Sequence, residues 1–385
     1  MLDAHPLKPK AFAALLAVSA ALIGSVAHAA ANVTVGMVTR QYTDENRTEW
    51  EGSRPRPLAT VIWYPVAPTR KLAFVFDAPK TPVFFPIAVA PDAALAPAPA
   101  RYPLVLLSHG SGSSALQMMW LGYYLASRGF IVAAVNHHGN TSEESRQFAQ
   151  GATLVWERPK DLSVVLDRLL ADPLFGSRID TDRIGAAGFA LGGYAVIALA
   201  GGRFSVDAFD AFCRSENRDA TCEPELTDAA ARMRELRKEN LQVNESIGRS
   251  GDSYRDPRIQ RVFAIAPTLG GAFAERGLAD VKVPVRIVVG EGDKLAPMQT
   301  NAVRYVQLIP QAELRTLPGA IAHHTFLATC TPYGQSTVAL CRDAKGVDRA
   351  QVHREVANLA YTFFAVAPGT SPLARSTTGT STAVR

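Results

Sequence analysis

A chain of 385 residues that is 48% hydrophobic and only 19% charged can bury one large core without needing a second domain. Its net charge of +5 is mild, and no long Lys/Arg run is present to track a phosphate backbone, which argues against a nucleic-acid partner. An ordinary solubilising surface accounts for the positive excess.

The first expected element is an export signal over residues 1–29. Lys8 and Lys10 precede an uncharged apolar run from Ala11 to Ala27, and small residues end it at Ala27-His28-Ala29. That run is short and weakly apolar for a membrane span, and no other segment is long enough for one. A secreted or periplasmic chain starting near Ala30 is expected, with its main domain over 30–368. Apolar, β-branched runs then predict strands at Val33–Val38 and Leu58–Val66. With no helix between them, these two should form an antiparallel edge. The Pro/Ala stretch from Pro86 to Pro103 reads as an extended surface loop.

Strand Tyr102–Ser108 runs into His109-Gly110-Ser111-Gly112, a glycine turn able to aim a backbone N–H. A helix is expected at Ala115–Ser127 and a strand at Phe130–Asn136. The string Asn136-His137-His138-Gly139-Asn140 invites a metal reading, but neighbouring histidines on a strand face opposite ways. A rim or substrate-facing loop is expected there, with no metal. The helix expected at Pro159–Ala171 carries Asp161 and Asp167, read as solvated or capping charges.

Next comes Arg183–Phe189 as a strand and Leu191–Ala200 as a helix, with Gly188 and Gly192 on either side of position 190. A nucleophile elbow needs small residues two positions before and after its centre, because that centre takes strained φ/ψ where strand and helix nearly touch. The centre is Ala190, which has no hydroxyl, and no Ser or Cys elsewhere in the turn replaces it. The segment 204–256 departs from the strand–helix alternation and carries a charged helical stretch, Asp228–Glu239. It is expected either as a small cap over the site or as a surface excursion. Four cysteines allow three connectivities, of which sequence proximity favours Cys213 with Cys222 and Cys330 with Cys341, in keeping with an oxidising compartment. Neither pair has the C-x-x-C spacing that zinc would favour.

Strands at Val262–Ala266, Val285–Gly290 and Glu313–Leu317 and helices at Met298–Leu308 and Asp348–Phe364 complete a mostly parallel, eight-stranded α/β sheet flanked by helices. The tail 369–385, rich in Ser and Thr, is expected to be disordered. Asp293 stands just past the carboxyl end of its strand, where catalytic groups gather in open sheets, with Glu291 as the weaker alternative. His323 and His324 follow the next strand. The order nucleophile, acid, base is that of α/β-hydrolases, in which one oxyanion donor comes from a glycine loop and the other from the residue after the nucleophile. Those donors would be the N–H groups of Ser111 and Leu191.

Trp63-Tyr64-Pro65, Ser108-His109-Gly110, Gly188-Phe189-Ala190-Leu191-Gly192-Gly193, the stretch Gly290 to Pro297, and His323-His324-Thr325-Phe326-Leu327 followed by Cys330 carry a family likeness. In these strings the chain resembles bacterial dienelactone-hydrolase-like proteins of the α/β-hydrolase superfamily. It is also similar to cutinase-type polyester hydrolases and to bacterial relatives of platelet-activating-factor acetylhydrolase. The resemblance implies Ser-Asp-His chemistry on small or polymeric carboxylic esters without a cofactor, with His323 rather than His324 as base. Ala190 is the departure from that pattern. Three readings follow: an esterase whose serine was replaced deliberately, a natural non-catalytic binding protein, and a peptidase or amidase on the same fold.

Overall fold

Alternation of short apolar runs with helix-length segments drives the architecture. The computed structural model describes residues 33–77, 80–222, 234–235, 237–238 and 240–366. The export signal, most of the charged stretch Asp228–Glu239 and the tail 369–385 lie outside the described residues. Strands β1 (Thr34–Thr48), β2 (Pro55–Val66), β3 (Ala73–Val75), β4 (Ile87–Pro91), β5 (Tyr102–Ser108), β6 (Ile131–Val135), β7 (Ile179–Phe189), β8 (Arg261–Ile265), β9 (Val285–Gly290) and β10 (Ala312–Leu317) form one sheet. Their order is β10-β9-β8-β7-β5-β6-β2-β1-β4-β3. From β10 through β6 all neighbours run parallel, while β2 is antiparallel to both β6 and β1.

Parallel strands covered on both faces bury every side chain, and β5 is buried along its whole length. Its residues divide by the two-residue period of a strand. Leu104 and Leu106 point into one core with Leu162, Val165, Leu166 and Leu169. Val105 and Leu107 point into the other, with Leu121, Val356 and Phe363. The first face is covered by helices α3 (Glu157–Ala171), beyond the short α2 (Ala149–Thr153), and α4 (Leu191–Leu199); the second is covered by α1 (Met119–Ala126) and, at the far end of the chain, Arg349–Phe364.

Two expectations about the edge need correction. Eight strands were expected and ten are found, because β3 and β4 extend the sheet beyond β1. β4 falls inside the stretch Pro86–Pro103 expected as loop, and it pairs with β1 only through Gly36–Ala90 and Met37–Pro91. A two-pair edge ladder tolerates proline, and its five residues carry too little pattern to stand out. The helix after Pro297 also starts late, at Ala302, because Asn301 before it stands outside helical geometry at φ −119°, ψ −85°, with its side chain bonded to Asp219 and Gly270.

The described parts of segment 204–256 contain α5 (Val206–Arg214) and α6 (Leu241–Gly248). The Phe212 ring of α5 packs on Gly271 so closely that a Cβ there would meet it at 2.3 Å. Ser246 of α6 accepts from the Trp156 indole and donates to Glu157. Both expected disulfides are formed, Cys213–Cys222 and Cys330–Cys341. Among the described residues, no helix is long and apolar enough to cross a membrane.

Candidate active site

The strand–turn–helix at position 190 has the close contacts its glycines foretold. A Cβ on Gly188 would stand 2.2 Å from the Gly192 carbonyl oxygen, and one on Gly192 would stand 2.0 Å from that of Ser108. Neither contact is possible for a real side chain. Between them Ala190 is forced to φ 52°, ψ −116°, a conformation costing a non-glycine residue about 1–3 kcal/mol. Surrounding bonds hold it there: the Ala190 N–H donates to the Ile265 carbonyl at 2.9 Å, and its own carbonyl accepts from Thr268 N–H at 3.2 Å. At the head of α4 the Leu191 N–H is one of the donors that a helix leaves without an internal acceptor.

Asp293 and His323 meet beside this turn. The Nδ1–H of His323 donates to Asp293 Oδ2 at 2.7 Å, both residues being buried. With Nδ1 engaged, Nε2 is the nitrogen left to take a proton. Asp293 also accepts the N–H groups of Leu295 and Ala296 on Oδ1, so the same carboxylate shapes its turn and orients the imidazole. The His323 ring lies 4.8 Å, centre to centre, from that of Phe189, the residue immediately before Ala190. His324 points to the exposed side, and Glu291 accepts the Gly319 N–H at the surface instead of reaching His323. The loop carrying His323 is pinned from several sides: Trp120 donates to the Phe326 carbonyl, His353 Nε2–H to that of Thr325, and Arg349 to that of Ala328.

The glycine loop after β5 packs on the turn, since a Cβ on Gly110 would lie 3.4 Å from that of Ala190. His109 serves the loop itself, with Nδ1 2.7 Å from the Gly110 carbonyl and Nε2 accepting the His137 N–H. A cavity of about 420 Å³ is lined by Met37, Val61, Leu116 and Asn136 among others, and by none of Ala190, Asp293 or His323.

Behind the loop is a buried polar network that the sequence reading mistook. Asp161, expected as a solvated charge, is fully buried; it accepts two hydrogen bonds from Arg56, one from Arg47 and one from His137 Nδ1–H. Only Asp167 is exposed as expected. The segment 136–140, expected as a rim, is buried too: Ser108 donates to His137 Nε2 at 2.8 Å, while His138 contacts Glu144. Ser108, His137 and Asp161 thus repeat the residue types of a catalytic triad, yet none is more than 1% exposed, so no substrate reaches them. A signal for this network existed. Arg158 and Asp161 both fall on the apolar stripe of α3, four residues before Leu162 and Val165, where a charge is buried and has to find polar partners. Among the described residues no group of His, Cys, Asp and Glu is arranged to hold a metal.

Buried groups in this network, together with His353 behind the His323 loop, should make the fold acid-sensitive. Burial holds His137 and His353 down to about 4, whereas an unfolded imidazole takes its proton near pH 6.5. Between about 6.5 and 4 the unfolded chain binds more protons than the folded one, so stability falls as pH is lowered through that window. Burial pushes Glu157 up, but Arg47 and Lys160 outweigh it and hold the carboxyl at about 2, which extends the loss below pH 4.5. Tm measured from pH 7 to pH 4 should decline steadily; a flat profile would show that these imidazoles are not buried neutral.

Over most of its length the chain superposes on a solved structure, a ferulic acid esterase from Streptomyces cinnamoneus, with a TM-score of 0.59, 24% identity, and coverage of 88% of this chain and 91% of that one. The chain has the α/β-hydrolase fold. Residues 76–167 match the family described as platelet-activating factor acetylhydrolase, isoform II. A curated relative, Lipase 1 of Moraxella sp. (strain TA144), is 35% identical over 89 residues, which is 23% of this chain and 24% of the lipase. The matched segment thus spans about a quarter of that relative.

Proposed function

We propose that this α/β-hydrolase is built as a secreted serine-type carboxylic ester hydrolase, lacking only its nucleophilic hydroxyl at Ala190. The observation that carries the reading is the strained backbone of Ala190, at φ 52°, ψ −116°, a conformation with no purpose in packing and a clear one in presenting a nucleophile above the sheet. With serine at 190, His323 takes the hydroxyl proton as it attacks the ester carbonyl, and Asp293 keeps the imidazole in the required tautomer. The N–H groups of Ser111 and Leu191 receive the oxyanion. Water then hydrolyses the acyl-enzyme. A lipase and an esterase among the similar proteins favour esters over amides as the substrate class.

Ala190 itself supports a companion reading: as it stands, the chain binds esters without turning them over. Because Asp293, His323 and the glycine loop keep their arrangement, a single replacement of serine, as in an engineered variant, accounts for the chain better than long drift from a working enzyme. The test is to compare the chain with its Ala190→Ser form on p-nitrophenyl esters of short and long acyl chain and on the matching anilides. Ester turnover only after substitution supports the reading. Equal activity of both forms overturns the site, and cleavage of anilides alone overturns the substrate class.

A further inference from the structure

Arg158 lies in the first turn of α3, is 2% exposed, and has no carboxylate in contact among the described residues. The nearby acid, Asp161, is taken by Arg47, Arg56 and His137. Burial pushes the Arg158 guanidinium down to about 9. A buried cation without an ion-pair partner is costly to keep, so its bonds must do something. All its acceptors are neutral. One terminal nitrogen donates to the His109 carbonyl at 2.6 Å; the other donates to the Gly110 carbonyl at 3.3 Å and to Asn140 Oδ1 at 2.6 Å.

Peptide planarity turns these bonds into a direction. In a trans peptide the C=O and the N–H of the next residue point opposite ways. The His109 carbonyl shares its peptide with the Gly110 N–H, and the Gly110 carbonyl shares its peptide with the Ser111 N–H. With the His109 oxygen held by Arg158, and the Gly110 oxygen held by Arg158 together with His109 Nδ1 at 2.7 Å, both N–H groups face away from Arg158, in the stretch that packs against Ala190. Asn140 locks the same loop, because its Oδ1 also accepts from the Gly112 N–H and the Ser111 hydroxyl, each at 3.2 Å.

We propose that Arg158 is the positioning residue of the oxyanion loop: by gripping two successive carbonyls from behind, it aims the Ser111 N–H at the acyl oxygen of a bound ester. Its positive charge, held in a dry setting, adds to the field that favours the oxyanion. The role rests on the ester-hydrolase reading of the elbow.

The experiment uses the full chain carrying Ala190→Ser, with Arg158→Met, Arg158→Lys or Asn140→Ala added. On p-nitrophenyl acetate, Arg158→Met should lower kcat by about 100-fold, the scale of one lost oxyanion donor, with KM within about twofold. Arg158→Lys keeps the charge but cannot span both carbonyls, and it should recover only part of that loss. A folded Arg158→Met protein with unchanged kcat overturns the proposal, as does a loss in which kcat, KM and Tm all worsen together. Where Arg158→Met does not fold, Asn140→Ala decides: a kcat drop of about tenfold at constant KM supports the role, and an unchanged kcat removes it. If Ala190→Ser alone gains no ester activity, the underlying reading fails, and this one with it. Activity in Ala190→Ser that ignores Arg158 sinks this inference alone.

Discussion

Replacing Ala190 with serine should raise kcat on p-nitrophenyl acetate by a factor on the order of 10⁶, the cost of losing the nucleophile in a serine hydrolase. The expectation is this large because nothing else has to be built. The elbow already holds the strained conformation, the Asp293–His323 bond is formed at 2.7 Å, and alanine differs from serine by one hydroxyl. Residual turnover by the unaltered chain, about 10³ over water, would come from oxyanion donors and binding alone. The substitution should also change the kinetic form: a burst of p-nitrophenol, stoichiometric with enzyme, marks an acyl-enzyme that Ala190 cannot form. A rise of less than tenfold, without a burst, would mean that position 190 is not where the acyl group is attacked.

The second large effect concerns stability. Asp161→Asn should destabilise the fold by about 3–5 kcal/mol, the range found when one member of a buried ion pair is removed. Asp161 is the shared counter-charge of Arg47 and Arg56 and the acceptor of His137 Nδ1–H, and all of these groups are buried or nearly so. Asparagine keeps the shape but leaves two guanidinium groups facing a neutral amide. Denaturant unfolding of the two proteins measures the difference, with a shift in midpoint at constant slope as the sign of a true stability change. A loss below about 1 kcal/mol would show that water, or another acid, compensates those arginines.

The elbow and its partners were legible because they depend on main-chain geometry. Gly188 and Gly192 are required by contacts near 2 Å, and Asp293 and His323 sit just past strand ends, which hydrophobic runs mark clearly. Even the choice between His323 and His324 followed the resemblance rather than the residues alone. What the sequence hid was whatever depended on which way a charged side chain faces. Asp161 was read as solvated because most helical aspartates are, although its place on the apolar stripe of α3 pointed inward. The histidine string after β6 was read as a rim because loops generally lie at the surface, yet Trp50 and α3 cover it. β3 and β4 escaped notice for another reason: an edge ladder of two or three pairs leaves no periodic trace.

The strained backbone at Ala190 bears on stability as well. Glycine would adopt φ 52°, ψ −116° without penalty. Ala190→Gly should therefore stabilise the chain, by about 1 kcal/mol once the greater flexibility of unfolded glycine is set against the strain relieved; an unchanged or lower Tm would mean the turn is relaxed as it stands. The tension is then a standing cost to the fold at residue 190, held in place by the strand, the helix and the two glycines around it.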